Sequence, residues 1–545
     1  MNTRSIVFLA VNASYSHSNL AGWYLREIAE AAGWQWTDIA FLARDAPHPA
    51  VEKAVRVNPR ILAATFYLFN RQAVLQFLRR FKTLCPSCIV IAGGPEFLGD
   101  NRPFLLTERE VDLVVRGEGE RPFGEFLRSV EHPERWRSIP GLSGVLDGEV
   151  FDGGPAPAVE DLDSIPSPYA RHVAGFAMPF VQLETSRGCS NRCAFCTSGR
   201  PGGVRRFSLG RVQADLDVIR RMSIRCVRLV DRTFNEVPSR CISLIRLFRD
   251  EYPELRFHLE IDPARLTRSI LAELAATAPG RFHIEVGVQS LSPQVYENMG
   301  RQATVRRSYE GLRALCGMGN VDVHTDLIAG LPGATLAGLL EDIRALVALR
   351  PQEIQLELLK VLPGTRIEQE REQWQIVSSP EPPYQVLGTR DMNGADLAAA
   401  CDYSRLLDLF YNAASLQAVI GEAGALDPDF WPALREFCAS RFDLAVTPPL
   451  DVRFRVLDAF LPTRPAAGVG HRLHYAWMKW GLGTRSGICA ATPRRGPIPP
   501  NAILVEGAAE GPFSRQYLVE LDCPHLFAYG GTRGDRRATA VFRLD

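Results

Sequence analysis

Three cysteines in one short loop constrain this chain more than any other feature. The segment Glu184-Thr185-Ser186-Arg187-Gly188-Cys189-Ser190-Asn191-Arg192-Cys193-Ala194-Phe195-Cys196 sets its thiols at Cys-x3-Cys-x2-Cys spacing, directly after a predicted strand. Soft thiolates spaced this way hold three irons of one [4Fe–4S] cube and leave the fourth iron without a protein ligand. An open iron is useful where something small must be chelated. The chain has 12 cysteines in 545 residues, irregularly spread. That is no dense disulfide scaffold, and in a reducing compartment cysteines this close point to metal.

Around the loop, apolar runs alternate with helical patterns, the signature of parallel sheets covered by helices. In the first stretch, strands are expected at 5–11, 60–66, 88–92 and 111–115, with helices over 19–32 and 71–81. Two of these strands break into Gly93-Gly94-Pro95-Glu96 and Gly117-Glu118-Gly119-Glu120. Such Gly-rich strand ends are where open α/β sheets admit ligands. A Pro-, Gly- and Asp-rich stretch follows, with a small hairpin near 144–151. Six further strands, near 180–185, 226–230, 256–260, 282–289, 322–328 and 353–359, suggest a partial (β/α)6 barrel. Beyond residue 366 the pattern turns helical, and the last hundred residues are expected to close with strands near 502–505 and 517–521. The fold class is therefore α/β: a doubly wound domain at 1–140, a linker at 141–179, a barrel at 180–370 and a mainly helical domain at 371–545.

Charge and hydropathy narrow the partners. Lys+Arg and Asp+Glu each number 62, so no net basic field favours nucleic acid. No apolar run approaches the ~20 residues of a membrane span, and the apolar stretch at 6–11 is too short for a signal core. A cytoplasmic protein without membrane or nucleic-acid partners is expected.

The cysteine loop, with Phe195 before its last thiol, resembles the defining loop of the radical S-adenosylmethionine (SAM) superfamily. The resemblance implies that SAM's amino and carboxylate groups fill the open iron. One electron from the reduced cube, supplied by a flavodoxin- or ferredoxin-type donor, then splits SAM into methionine and a 5′-deoxyadenosyl radical. Val230-Asp231-Arg232-Thr233-Phe234-Asn235 stands where the family places a SAM-contacting turn, although the usual Gly-Gly-Glu is absent. Leu259-Glu260-Ile261-Asp262-Pro263, Gly287-Val288-Gln289-Ser290 and Asp326-Leu327-Ile328-Ala329-Gly330-Leu331-Pro332-Gly333 are similar to strand motifs of oxygen-independent coproporphyrinogen dehydrogenases. By that similarity Glu260 serves the SAM amino group, Gln289 and Asp326 the ribose hydroxyls, and Arg301 the methionine carboxylate, while Asp231 is a SAM-binding candidate by its position in the turn. No catalytic residue is assigned beyond the cluster.

A doubly wound domain ahead of such a barrel resembles the cobalamin-binding subclass, in which Gly93, Gly94, Pro95, Gly117, Glu118 and Gly119 would cradle the corrinoid. The Asp-x-His-x-x-Gly cobalt-ligand motif is missing, and His17 reads as a loop or helix-cap residue. The strand end Thr65-Phe66-Tyr67-Leu68-Phe69-Asn70 is a candidate wall beneath the corrin or ordinary packing, and Cys85 with Cys88 reads as structural. Tyr403, Phe410, Tyr411 and Trp431 read as core, and no mechanism attaches to residues 471–477. The chain thus resembles a subgroup of cobalamin-binding-domain radical SAM proteins with a C-terminal domain of unknown function. Methylation of an unactivated carbon of a small molecule is the leading expectation. A non-methylating cyclase or oxidative rearrangement, and a non-catalytic iron–sulfur or cobalamin sensor, are the alternatives.

Overall fold

A computed structural model describes residues 4–14, 18–169, 178–199, 203–482, 487–507, 513–530 and 537–544. His17 lies outside the described residues. The chain divides into two compact units, one of residues 1–323, 330–334 and 358–394, the other of residues 324–329, 335–357 and 395–545.

The first unit opens with β1 (Ser5–Asn12), β2 (Gln35–Leu42), β3 (Ile61–Thr65), β4 (Ile89–Gly93) and β5 (Leu113–Val115). These pair in parallel in the order β2-β1-β3-β4-β5, a doubly wound arrangement whose ligand crevice lies at the carboxyl ends of its strands. β1 and β3 are buried along almost their whole length, which explains their unbroken apolar runs. β2 was not anticipated. It is an edge strand whose first half is polar, with Gln35 and Asp38 exposed. The hairpin expected in the linker, β6 (Leu142–Leu146) and β7 (Glu149–Asp152), adds antiparallel strands to this same sheet.

The first unit continues with β8 (Val181–Leu183), the short ribbon of β9 (Ser186–Arg187) and β10 (Arg205–Arg206), and then β11 (Cys226–Leu229), β12 (Arg256–Glu260) and β13 (Phe282–Gln289). β8, β11, β12 and β13 pair in parallel with helices between them. β13 alternates buried and half-buried residues without a break. The ribbon β16 (Val377–Ser378) and β17 (Val386–Gly388) also belongs here, after the last two strands of the βα run, β14 (Asp322–Ala329) and β15 (Glu353–Leu358).

β14, β15 and the helix Leu336–Leu349 fall largely in the second unit. Helices Gln417–Leu426, Phe430–Ala439, Leu450–Phe460 and Gly470–Lys479 follow, with Tyr403, Phe410, Tyr411 and Trp431 all buried among them. The unit closes with an antiparallel sheet of β18 (Thr492–Arg494), β19 (Ala502–Gly507), β20 (Phe513–Glu520), β21 (Pro524–Gly530) and β22 (Ala540–Leu544), in the order β18-β20-β21-β22-β19. Among the described residues no helix is long and apolar enough to cross a membrane.

Candidate functional site

The cysteine loop leaves β8 and is fixed at both ends by contacts distant in sequence. At its start, the buried Asp231 carboxylate accepts from the Thr185 amide (2.7 Å), the Thr185 hydroxyl (2.6 Å) and the Ser186 hydroxyl (2.5 Å). Gly188 has φ +96, and a Cβ there would run into the Gly203 carbonyl, so the loop can turn only on a glycine. Further on, the Ala194 amide donates to the Met299 carbonyl (2.8 Å), and the Ile367 amide to the Ala194 carbonyl (2.9 Å). Cys189 Sγ lies 3.2 Å from Thr233 Oγ1, and the Ser198 amide donates to Cys196 Sγ. Burial pushes the Cys189 thiol up, and it pushes Cys193 to about 12 against the pull of the Arg301 guanidinium. A bound cationic metal would reverse that, because metal ligation favours the thiolate.

The predicted SAM residues are differently placed. Asp231 is saturated by its three donors. Glu260 ends β12 with its carboxylate 3.3 Å from Arg232 Nη1. Gln289 sits at φ +72 with a buried Oε1 that has no hydrogen-bond partner among the described residues. Arg301 donates to the Gly287 carbonyl and stacks over Tyr296, with a buried Nε–H that finds no partner among them. Asp326 lies in the second unit, on β14, with Oδ1 3.1 Å from His324 Nε2.

Asp262, for which the sequence suggests no role, is a hub. Its carboxylate accepts from Asn191 (2.9 Å) and the Ala264 amide, and its own amide donates to Asn235 Oδ1 (3.0 Å). It therefore ties the cysteine loop to the ends of β11 and β12.

At the strand ends of the first sheet, Gly93, Gly94, Gly117 and Gly119 line a cavity of about 150 Å³. Gly94 has φ +113, and a Cβ there would sit 2.5 Å from the Phe66 carbonyl oxygen. Neither Pro95 nor Glu118 lines this space. Glu118 instead accepts from Arg205 and from the Val159 amide, and lies 3.4 Å from Arg187. Arg187 also pairs with Glu120 (2.6 Å) and Glu184 (3.0 Å). Burial raises the Glu118 pKa, but the Arg205 and Val159 donors and the nearby guanidinium charges outweigh it and hold the carboxyl below its usual range.

These ion pairs fasten the second Gly-rich loop to the start of the cysteine loop. Beside them lies a second cavity of about 390 Å³, whose wall includes Tyr67, Phe69 and Glu120 from the sheet side and Glu184, Arg187 and Arg232 from the cysteine-loop side. Tyr67 and Glu120 line both cavities. The network links residues far apart in sequence, and no local signal announces it.

Comparison with known proteins identifies the domains. The Radical SAM superfamily model matches residues 183–346, and the B12 binding domain model matches residues 6–127. The chain therefore carries a B12-binding domain and a radical SAM domain. It is 28% identical over 355 residues to 2-(S-pantetheinyl)-carbapenam-3-carboxylate methyltransferase of Streptantibioticus cattleyicolor, covering 60% of this chain and 51% of that one. It is 26% identical to the cobalamin-dependent radical SAM methyltransferase TokK of Streptomyces tokunonensis, covering 66% and 56%. The chain thus spans about half the length of these curated relatives. In fold it matches apo OxsB, a cobalamin-dependent S-adenosylmethionine radical enzyme, with TM-score 0.62 and 15% identity over 87% of this chain and 76% of the other.

The two domains name the cofactors: a [4Fe–4S] cluster with SAM, and cobalamin. The residues present suit them. Three free thiols stand on an anchored loop. The buried Gln289 oxygen is an acceptor for hydroxyls, the buried Arg301 guanidinium suits a carboxylate, and the glycine strand ends let the edge of a ligand approach the backbone.

Proposed function

We propose that this protein is a cobalamin-dependent radical SAM methyltransferase that acts on an unactivated carbon of a small molecule in the reducing cytoplasm, with a flavodoxin- or ferredoxin-type electron donor. The observation that carries this reading is the 390 Å³ cavity, walled on one side by residues beside the Gly-rich strand ends and on the other by residues beside the cysteine loop. When bound, the cofactors supply the radical and the methyl group. The chain's own residues position and shield. Cys189, Cys193 and Cys196 would hold the cluster. Arg301 would hold the methionine carboxylate, Glu260 the SAM amino group, and Gln289 the ribose hydroxyls. Asp231, fully engaged by Thr185 and Ser186, would act as a positioning residue for the loop rather than as a SAM contact. Gly93, Gly94, Gly117 and Gly119 would admit the cobalamin. Tyr67 and Phe69, stacked at 5.5 Å, would present an aromatic wall to the corrin.

Anaerobic incubation of the reconstituted protein with SAM, reductant and candidate small molecules tests this reading. Methyl transfer predicts both 5′-deoxyadenosine and S-adenosylhomocysteine among the products. Deoxyadenosine without S-adenosylhomocysteine would replace it with the non-methylating reading, and neither product would favour a sensor.

A further inference from the structure

Nothing in the radical SAM or B12 chemistry uses the tight turn between β20 and β21. There Asp522, Cys523 and His525 bring together ligand atoms of three kinds. Asp522 Oδ1 lies 3.8 Å from Cys523 Sγ, Sγ lies 3.9 Å from His525 Nδ1, and Nδ1 lies 4.0 Å from Oδ1. The triangle is almost equilateral. Tetrahedral zinc, with Zn–S of about 2.3 Å and Zn–N or Zn–O of about 2.0–2.1 Å, sets edges of roughly 3.3–3.6 Å. Each ligand atom needs to close by only a few tenths of an ångström.

The setting favours a metal over an accidental cluster. His525 is buried, Cys523 half-buried and Asp522 exposed, so the group runs from core to surface. The imidazole is held edge-on to Tyr475, with ring centroids 5.8 Å apart. Without metal, His525 Nδ1–H donates to the Cys523 carbonyl oxygen at 2.8 Å, a bond that zinc must displace when it takes Nδ1. Asp522 and His525 also form part of the wall of a cavity of about 350 Å³, together with Ser415, His471, Tyr475 and Trp480. A mixed thiolate, imidazole and carboxylate set suits a borderline ion, and three protein ligands leave one position open.

We propose that Asp522, Cys523 and His525 bind a zinc ion whose fourth position opens to this cavity and takes water or a small-molecule donor atom. Asp522 enters as carboxylate and Cys523 as thiolate, its proton released to solvent. His525 enters through Nδ1, with its single ring proton moved to Nε2. The three cluster cysteines take no part, so this site stands or falls independently of the radical SAM assignment.

The test measures zinc and iron per chain in the full-length reconstituted protein after exposure to zinc and exhaustive desalting. Wild type should retain one zinc beyond its iron, and Cys523→Ser should lose it while keeping the iron. As a second readout, cobalt(II) added to full-length Cys189→Ala/Cys193→Ala/Cys196→Ala protein should give a sulfur-to-cobalt charge-transfer band. That band should vanish when Cys523→Ser is added with the circular dichroism unchanged. Absence of retained zinc in wild type, retention undiminished in Cys523→Ser, or a cobalt spectrum without the thiolate band would each overturn the proposal.

Discussion

Replacing Asp231 distinguishes a residue that shapes the cysteine loop from one that touches SAM. Its carboxylate is 2% exposed and takes three donors at 2.5–2.7 Å. Burial pushes its pKa up, and the hydroxyl and amide donors oppose that rise without cancelling it. With a folded pKa above the unfolded one, the stability this group contributes is complete below the unfolded pKa and declines as pH rises through the folded value. Asp231→Asn removes a charge that folding already disfavours and keeps an acceptor for the Thr185 amide, so it should cost about 1 kcal/mol. Asp231→Ala strands one amide and two hydroxyl donors. At about 1–3 kcal/mol for each buried unsatisfied group, and with the hydroxyls free to turn elsewhere, the loss is roughly 3 kcal/mol. In a unit of this size that corresponds to a fall in Tm of about 4 °C. Thermal melts, iron and sulfide per chain, and SAM binding by equilibrium dialysis read the outcome. The alanine variant should melt early and load little cluster, whereas the asparagine variant should keep both cluster and SAM affinity. The reasoning is refuted if Asp231→Asn keeps its cluster and Tm yet binds SAM about tenfold more weakly, a difference of about 1.4 kcal/mol.

Gly94→Ala should lower corrinoid retention while leaving iron content unchanged, because its Cβ meets the Phe66 backbone and φ is +113; absorbance and iron assay of the same sample check this. Gln289→Ala should raise the Kd for SAM by roughly 5–150-fold, the loss of about 1–3 kcal/mol expected for a buried acceptor, with cluster content unchanged in the same dialysis experiment. In Tyr384→Phe, Glu96 loses a hydroxyl donor at 2.5 Å and keeps Arg71 at 3.5 Å, which should cost about 1–2 kcal/mol. Burial already raises the Glu96 pKa above 4.5, with Tyr384 and Arg71 opposing. Removing the hydroxyl raises it further, so urea melts should show a larger loss at neutral pH than below 4.5.

The sequence signals that proved legible are local. The cysteine spacing, the Gly-rich strand ends and the apolar runs of β1, β3 and β13 are each set by neighbouring residues, and each falls where the backbone needs it. β2 escaped because its first half carries the polar Gln35, Thr37 and Asp38 of an edge strand in contact with solvent, which leaves only the short apolar run Ile39-Ala40-Phe41-Leu42. The hairpin of β6 and β7 was legible, but its pairing with β5 was not, since edge pairing leaves no mark on composition. The links that build the site span long stretches of chain: Asp231 to Thr185 across 46 residues, Arg205 to Glu118 across 87, and Tyr384 to Glu96 across 288. Such contacts depend on the assembled fold, and their residue types alone read as solvated side chains. The positive φ of Gln289 is likewise invisible in sequence, because only tertiary contacts impose that strain.

The central claim is that one chain carries a cluster site and a separate corrinoid site facing a common cavity. It is tested most directly by isolating wild type and Cys193→Ala anaerobically from cobalamin-fed cells and measuring iron, sulfide and corrinoid per chain. The account predicts one [4Fe–4S] cluster and one corrinoid in wild type, and corrinoid without cluster in the variant. Wild-type protein that holds a cluster but no corrinoid, or a Cys193→Ala variant that still holds the cluster, would contradict it.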